Sequence, residues 1–184
     1  MRMSLFKTFL ERYGEPSPAR KPDAAELTAA AKHLPDELIE FFRDHGVGQY
    51  ENGLFRTVTP TWAKPLAEAW GEPRAADSIF LVDAFGSFIY RDGEENHLVN
   101  VWSDTRIELF PEVTDVFDAQ LCDPGFLKNI MLRPAFRAAS KRLGPLADDE
   151  CFGFFPAIAL GGDGSVESLR KVKVREHLAL LAQL

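Results

Sequence analysis

Three consecutive carboxylates, Asp148, Asp149 and Glu150, run directly into a dense apolar segment. Carboxylates held at the start of a buried strand form a negatively charged edge, which can bind a basic partner. Alternatively, they only keep the strand soluble, because charges beside strands commonly protect against aggregation. We call these three residues the acidic edge, and they predict electrostatic binding rather than catalysis.

The apolar segment after the acidic edge predicts one buried strand at the centre of a sheet. The side chains that such a strand would bury are Phe152, Phe154, Ile158 and Leu160. A rigid strand would fix the position of the carboxylates that precede it.

Two more acids extend the negative charge beyond this strand. Asp163 and Glu167 lie in a stretch that has no Lys or Arg between Arg142 and Arg170. We therefore expect them to form one negative region with the acidic edge.

A second acidic group lies at a predicted hairpin turn. Asp92, Glu94 and Glu95 surround Gly93 between two β-rich runs. Loop tips commonly carry binding residues, so this tip could reach into a cleft of a partner. Aromatic residues offer further candidate contacts, although positions in or near the core explain Tyr50, Trp62 and Trp102 better.

Catalytic chemistry is the alternative from a different functional class. The histidines lack the spacing of a metal site, and they are His33, His45, His97 and His177. The adjacent Glu150 disfavours a thiolate at Cys151, which argues against a nucleophile. His45 suits a helix C-terminus, and His177 is expected on the polar side of the last helix. We predict no catalytic residue.

Two short loops resemble ligand-binding loops in composition only. The loop at 161–167 lacks the Lys-Ser/Thr of a phosphate-binding loop, and the loop at 92–96 lacks the oxygen ligands of a calcium loop. Tight turns explain both, and we predict neither a metal nor a cofactor.

Composition and charge narrow the class of protein. The chain has 184 residues, 46% of them hydrophobic, which suits one globular domain. Its 21 basic and 28 acidic residues give a net charge of −7. This charge argues against direct contact with nucleic acid or an anionic membrane and favours a basic protein as the partner.

Cysteine usage and the N-terminal segment bear on the compartment. Cys122 and Cys151 are too few for a disulfide framework or a zinc site, so we expect buried thiols. The first residues lack the pattern of a secretory signal, and no apolar stretch reaches the roughly 18 residues of a membrane span. The expected location is the cytoplasm.

The elements that must position these residues follow from periodicity. Helical spacing predicts a short helix before Gly14, an Ala-rich helix at 24–32 and a helix from Pro35 to Gly46. A further helix begins at Pro60. The run from Ser78 to Leu109 predicts an antiparallel meander, with Leu98 on one face and Val99 on the other.

After the meander, helical signals return, and the chain ends with a brief strand and a closing helix. The fold class is therefore α+β, a single domain with a central, mainly antiparallel sheet flanked by helices. We divide the chain into an N-terminal helix and connector at 1–33 and an α+β domain at 34–184.

Four motifs in order carry a family resemblance. They are LPDELIEFFRDHGVGQYENGLF, AFGSFIYRD, LGPLADDECFGFFPAIALGG and VKVREHLALLAQL. In this order they resemble the motifs of the GAD-like domain family and its associated immunity-type C-terminal domain. The resemblance spans Leu34 to Leu184, with Phe152 where Tyr is common and Ile158 where Leu is common.

This resemblance implies a role in competition between bacteria. Members of this family are similar to immunity proteins that bind and neutralise nuclease effectors of type VI secretion systems. The implied partner is a cognate basic nuclease, and its DNA-binding or active-site face would be covered. A regulatory or scaffold module with the same acidic surface, or a hydrolase, is the alternative.

Overall fold

Seven strands form one antiparallel sheet in which each strand pairs with its neighbours along the chain. The computed structural model describes residues 5–184. The strands are β1 (Ala19–Arg20), β2 (Val47–Tyr50), β3 (Phe55–Thr57), β4 (Ile79–Asp83), β5 (Phe88–Asp92), β6 (Glu95–Asn100) and β7 (Thr105–Glu108). The predicted meander is confirmed as β4 to β7, and the sheet extends beyond it through β1 to β3.

Eight helices surround this sheet within residues 5–184. They are α1 (Lys7–Tyr13), α2 (Ala24–Ala30), α3 (Asp36–His45), α4 (Pro60–Trp70), α5 (Val113–Asp115), α6 (Pro124–Asn129), α7 (Arg133–Leu143) and α8 (Val174–Leu181). Capping explains where several begin: the Asp23 carboxylate accepts from Glu26 N–H, and Thr59 Oγ1 caps α4 before Pro60. The α+β class and the antiparallel sheet are confirmed. None of these helices is long and apolar enough to cross a membrane.

Alternate side chains along β6 and the residue after it pack into two different cores. Leu98 packs into the cluster that contains α1 and α3, whereas Val99 and Val101 pack into the cluster that contains α4 and α8. The sheet therefore lies between two helical layers, as its alternation requires.

The last third of the chain contributes to both cores. Phe152 and Phe154 enter the first cluster, and Cys151 and Leu178 enter the second. In the first cluster, Phe9 of α1 and Phe152 belong to the same core although they come from opposite ends of the sequence. The division at residue 34 stays a prediction, and the first four residues of its N-terminal part lie outside the described residues.

The strand predicted after the acidic edge is shorter than expected and is not part of the large sheet. Among residues 5–184, the strand β8 (Glu150–Phe154) pairs only with β9 (Leu169–Lys173), in a separate two-stranded sheet. Ile158–Leu160 is a 3₁₀ turn, and Leu160 is 64% exposed. The prediction of a central strand burying Ile158 and Leu160 was wrong, because the Phe155–Pro156 step ends the strand and Pro cannot donate to a ladder.

A close backbone approach holds this small sheet against the large one. Phe152 N–H donates to the carbonyl of Ala84 at 2.8 Å. Nearby, Gly86 has φ 86°, and a Cβ there would lie 2.8 Å from Leu178 Cδ1 of α8. Only glycine combines this positive φ with such a tight contact.

Candidate functional site

The acidic edge is paired with cations from elsewhere in the fold. Lys173 Nζ lies 2.7 Å from Asp149 Oδ2, and Lys171 Nζ lies 3.8 Å from Glu150 Oε2. Antiparallel pairing of β8 with β9 places Lys173 opposite Glu150 and Lys171 opposite Phe152, so both lysines lie beside the acids. Much of the negative charge at this edge is therefore compensated within the chain.

Titration of the pair follows from this geometry. The hydrogen bond from Lys173 lowers the pKa of Asp149 and raises the pKa of the lysine itself.

Arg56 is the third cation beside the acidic edge, with its Nη1 3.8 Å from Asp148 Oδ1. The Asp148 side chain remains 86% exposed, so it is the acid of this edge most available to a partner.

Asp163 and Glu167 lie in the exposed loop between β8 and β9. Asp163 Oδ1 accepts from Ser165 N–H at 2.9 Å, and the backbone N–H lowers the pKa of this carboxyl. Arg170 donates to the carbonyl oxygen of Glu167 at 2.6 Å. Cations from β9 therefore lie beside this loop as well, although the sequence between Arg142 and Arg170 has none.

The hairpin acids lie where the sequence predicts them. Asp92 and Glu95 are paired across the tip of the β5–β6 hairpin, with Gly93 at positive φ between them. Arg74 lies 3.7 Å from Asp92, and His97 lies 3.4 Å from Glu95. Glu94 is exposed at the tip. A contact between a partner and any of the eight acids stays a prediction.

The carboxylate of Asp83 is buried inside the fold, and the pattern of charges along the sequence does not predict this burial. Asp83 ends β4, and its Oδ1 accepts from Phe85 and Ser87 N–H at 2.8 and 2.9 Å. Its Oδ2 is buried with no hydrogen-bond partner among residues 5–184. Burial raises the pKa of Asp83 to about 7.

Burial also raises the pKa of the Cys151 thiol, and the negative charge of Asp83 adds to this shift. The thiol is thus held in its protonated form, as expected, but burial is the main cause rather than the adjacent Glu150. Cys122 is half-buried, which is less than predicted. Within residues 5–184, no group of His, Cys, Asp and Glu side chains is arranged to hold a metal ion.

His177 lies inside the fold, so its predicted position on the polar side of the last helix was wrong. It is 6% exposed, its Nδ1 has no partner in the described chain, and burial lowers its pKa. The reason is Gly153 of β8: a Cβ there would lie 2.6 Å from two atoms of the imidazole ring. The missing side chain makes room for the histidine.

His177 also lines a cavity of about 290 Å³, which we call the aromatic pocket. Its aromatic walls come from the end of α4, the turn after β6, the end of β8, and α8. They are Trp70, Trp102, Phe154 and His177. Sequence reasoning missed this pocket because its parts are far apart along the chain, although Trp102 was a candidate contact.

Exposed apolar side chains lie along two of the chain segments that form the wall of the aromatic pocket. Four of the six large hydrophobic residues that are exposed among residues 5–184 lie within or directly after the lining segments 154–159 and 177–184. They are Phe155, Leu160, Leu180 and Leu184. Exposed apolar groups that cluster around a concave site commonly mark a binding surface.

Among solved structures, this fold is similar to the subject of "Crystal structure of Atu4351 from Agrobacterium tumefaciens". The TM-score is 0.72, and the match covers 97% of this chain and 88% of that chain at 20% identity. The two chains therefore share a fold. No curated protein matches the sequence.

Two family models match consecutive parts of the sequence. The model of the T6SS immunity protein Tdi1, C-terminal, matches residues 112–184, which supports an immunity function in type VI secretion. The GAD-like domain model matches residues 4–102, so it begins ahead of the Leu34 from which the motifs were recognised. The suspected resemblance is thereby confirmed, and the chain belongs to the GAD-like domain family.

Proposed function

We propose that this chain is a non-enzymatic immunity protein that binds a nuclease toxin of a type VI secretion system and covers its DNA-binding or active-site face. The observation that carries the proposal is the order of the two family matches, at 4–102 and 112–184. Both cores contain side chains from both matched regions, so the two regions would bind the toxin as one rigid body.

The charge of the chain supports a basic partner. A nuclease presents a basic face to DNA, and a chain with a net charge of −7 is attracted to that face. The proposed contacts are Asp148, Asp149, Glu150, Asp163, Glu167, Asp92, Glu94 and Glu95. Among them, Asp148 keeps a side chain that is 86% exposed, so its share in steering the encounter should be largest.

Inhibition by binding also accounts for the inert side chains. The pKa of the Cys151 thiol is raised, and His177 is buried next to Gly153. Neither supplies an accessible nucleophile or base. We further propose that the chain acts in the cytoplasm, where a DNA-cleaving toxin meets its substrate.

Co-purification with the product of the neighbouring gene tests the proposal. The expected result is an equimolar complex that no longer cleaves DNA. Raising the salt concentration should slow association, because exposed charges are screened within about 8 Å at physiological ionic strength. Failure to form a complex would instead favour a regulatory or scaffold module.

Within that experiment, Asp148→Asn is a cleaner probe of the acidic edge than reversal of all three charges. Reversal of Asp149 or Glu150 would also break their pairs with Lys173 and Lys171. Glu40→Gln, an exposed acid on α3, is the matched control. An equal effect of both substitutions would show that only the total charge matters.

A further inference from the structure

The aromatic pocket contains several groups that the fold itself does not use. Trp102 Nε1 and His177 Nδ1 are buried in its walls without a hydrogen-bond partner among residues 5–184. An unpaired buried polar group costs about 1–3 kcal/mol. Such groups are uncommon in native proteins, and here two lie in the walls of one cavity.

The electrostatics of the pocket favour a cation. Among its lining residues, Asp104 is the one with a charged side chain, and none is Lys or Arg. Asp104 is exposed and forms no ion pair within residues 5–184. Burial lowers the pKa of His177, so the imidazole is neutral at neutral pH and does not repel a cation.

The apolar walls favour a long, flat side chain over a compact ammonium group. Indole faces attract guanidinium groups, and an arginine stem covers aliphatic surface such as that of Val101 and Leu181. A cavity of about 290 Å³ has room for one such side chain. A segment of polypeptide also carries backbone carbonyls that can accept from an indole N–H.

We propose that the aromatic pocket binds an arginine side chain of the toxin, with its guanidinium between the indoles of Trp70 and Trp102 and the carboxylate of Asp104. The exposed rim of Phe155, Leu160, Leu180 and Leu184 packs around the segment that carries this arginine. A second copy of the chain is a poorer occupant, because two molecules with a charge of −7 repel each other. This inference rests on the proposed function and names its principal contact.

Affinity for a catalytically inactive form of the nuclease found by that co-purification tests the inference. Three variants alter the pocket: Trp70→Ala, Asp104→Asn and Leu160→Ser. Asn suits the left-handed backbone at residue 104, where φ is 49°, and Leu160 is 64% exposed, so these two variants should fold. The matched controls are Glu40→Gln and Phe110→Ser, an exposed acid and an exposed apolar residue outside the pocket.

The inference predicts roughly tenfold or greater loss of affinity for Trp70→Ala and a smaller loss for Asp104→Asn, with unchanged controls. If the wild-type chain binds but the pocket variants bind equally well, the inference is wrong and the proposed function stands. If Leu160→Ser weakens binding while Asp104→Asn does not, an apolar anchor occupies the pocket and arginine is wrong. Light scattering that shows a wild-type dimer, dispersed by Leu160→Ser, would assign the face to a second copy and overturn the inference. No binding by wild type overturns the proposed function itself.

Discussion

The two ends of strand β8 have opposite characters. At its start, the acidic edge is exposed, and each carboxylate has a cation within 4 Å. At its end, Phe154 opens onto the aromatic pocket, where two buried polar atoms have no partner in the described chain. A run of like charges in sequence therefore need not remain unpaired in the fold. Polar groups without a partner in the described chain lie at the end of β8 that carries less charge.

The largest effect should come from Asp83, which lies beneath the charged end. Its pKa is raised to about 7, so the native state binds its proton more tightly than the unfolded chain. The contribution of Asp83 to stability is therefore highest below about pH 4 and falls as the pH rises towards 7, by about 1.4 kcal/mol per pH unit. Asp83→Asn should remove this dependence and stabilise the protein at pH 8.

Urea unfolding of both chains from pH 4 to 8 measures this effect. Other groups titrate equally in the two chains, so the difference between them isolates Asp83. Extending the series to pH 2 makes Asp149→Asn the control of opposite sign, because the pKa of Asp149 is lowered and its stabilisation is lost only as the pH falls below 3.8. A wild-type minus Asp83→Asn difference that is constant with pH would contradict the prediction.

At the other end of β8, Gly153→Ala should destabilise the fold by about 1–3 kcal/mol. Its Cβ would lie 2.6 Å from the ring of His177, which is buried and must move. The same variant should weaken toxin binding, because the ring also lines the aromatic pocket. Denaturant unfolding and binding assays check the two effects.

The double variant Gly153→Ala with His177→Ala provides the control. If the clash with the imidazole is the cause, this pair should cost less than the sum of the single changes. Strict additivity would instead show that Gly153 is needed for its backbone alone.

The sequence sufficed for the parts of the fold that local periodicity determines. The meander, α3, α4 and the hairpin at Asp92 all follow from apolar spacing, turn residues and caps. Helix α7 was missed although Pro134 suits its first turn, because its apolar face is only Phe136 and Ala139. The alternation of β6 correctly predicts two faces, because a two-residue period needs no tertiary information.

The site was less predictable, for a physical reason. The acidic edge is obvious in sequence, but its pairing depends on β9, about twenty residues further on, and on Arg56. The burial of His177 depends on the missing side chain of Gly153 in another element. Both facts arise from tertiary contacts, and the spacing of residues along the chain does not contain them.

Unmasking the charged end should increase its effect on association. Lys173→Gln removes the cation nearest to Asp149 and takes the net charge from −7 to −8. If the edge faces the toxin, the association rate should rise severalfold at low salt and depend more steeply on salt. Stopped-flow mixing with the inactive nuclease measures both.

Lys128→Gln makes the same change of charge on α6, where the lysine is exposed and forms no ion pair with residues 5–184. A larger rate for Lys173→Gln than for Lys128→Gln would locate the contact at the acidic edge. Equal rates would mean that only the net charge acts on association. The acidic edge would then not contact the toxin, and of the two ends of β8 the aromatic pocket alone would determine specificity.

The smallest effect is expected at the hairpin tip. Glu94 is exposed and has no neighbouring cation in the described chain, whereas Asp92 and Glu95 lie beside Arg74 and His97. Glu94→Gln should therefore slow association by at most about twofold and leave the dissociation rate unchanged, because an exposed charge at a rim affects encounter more than residence. The same stopped-flow assay checks it, with Glu40→Gln as the control. A faster dissociation for Glu94→Gln would place the tip inside the interface, so that binding would extend beyond both ends of β8 to the β5–β6 hairpin of the large sheet.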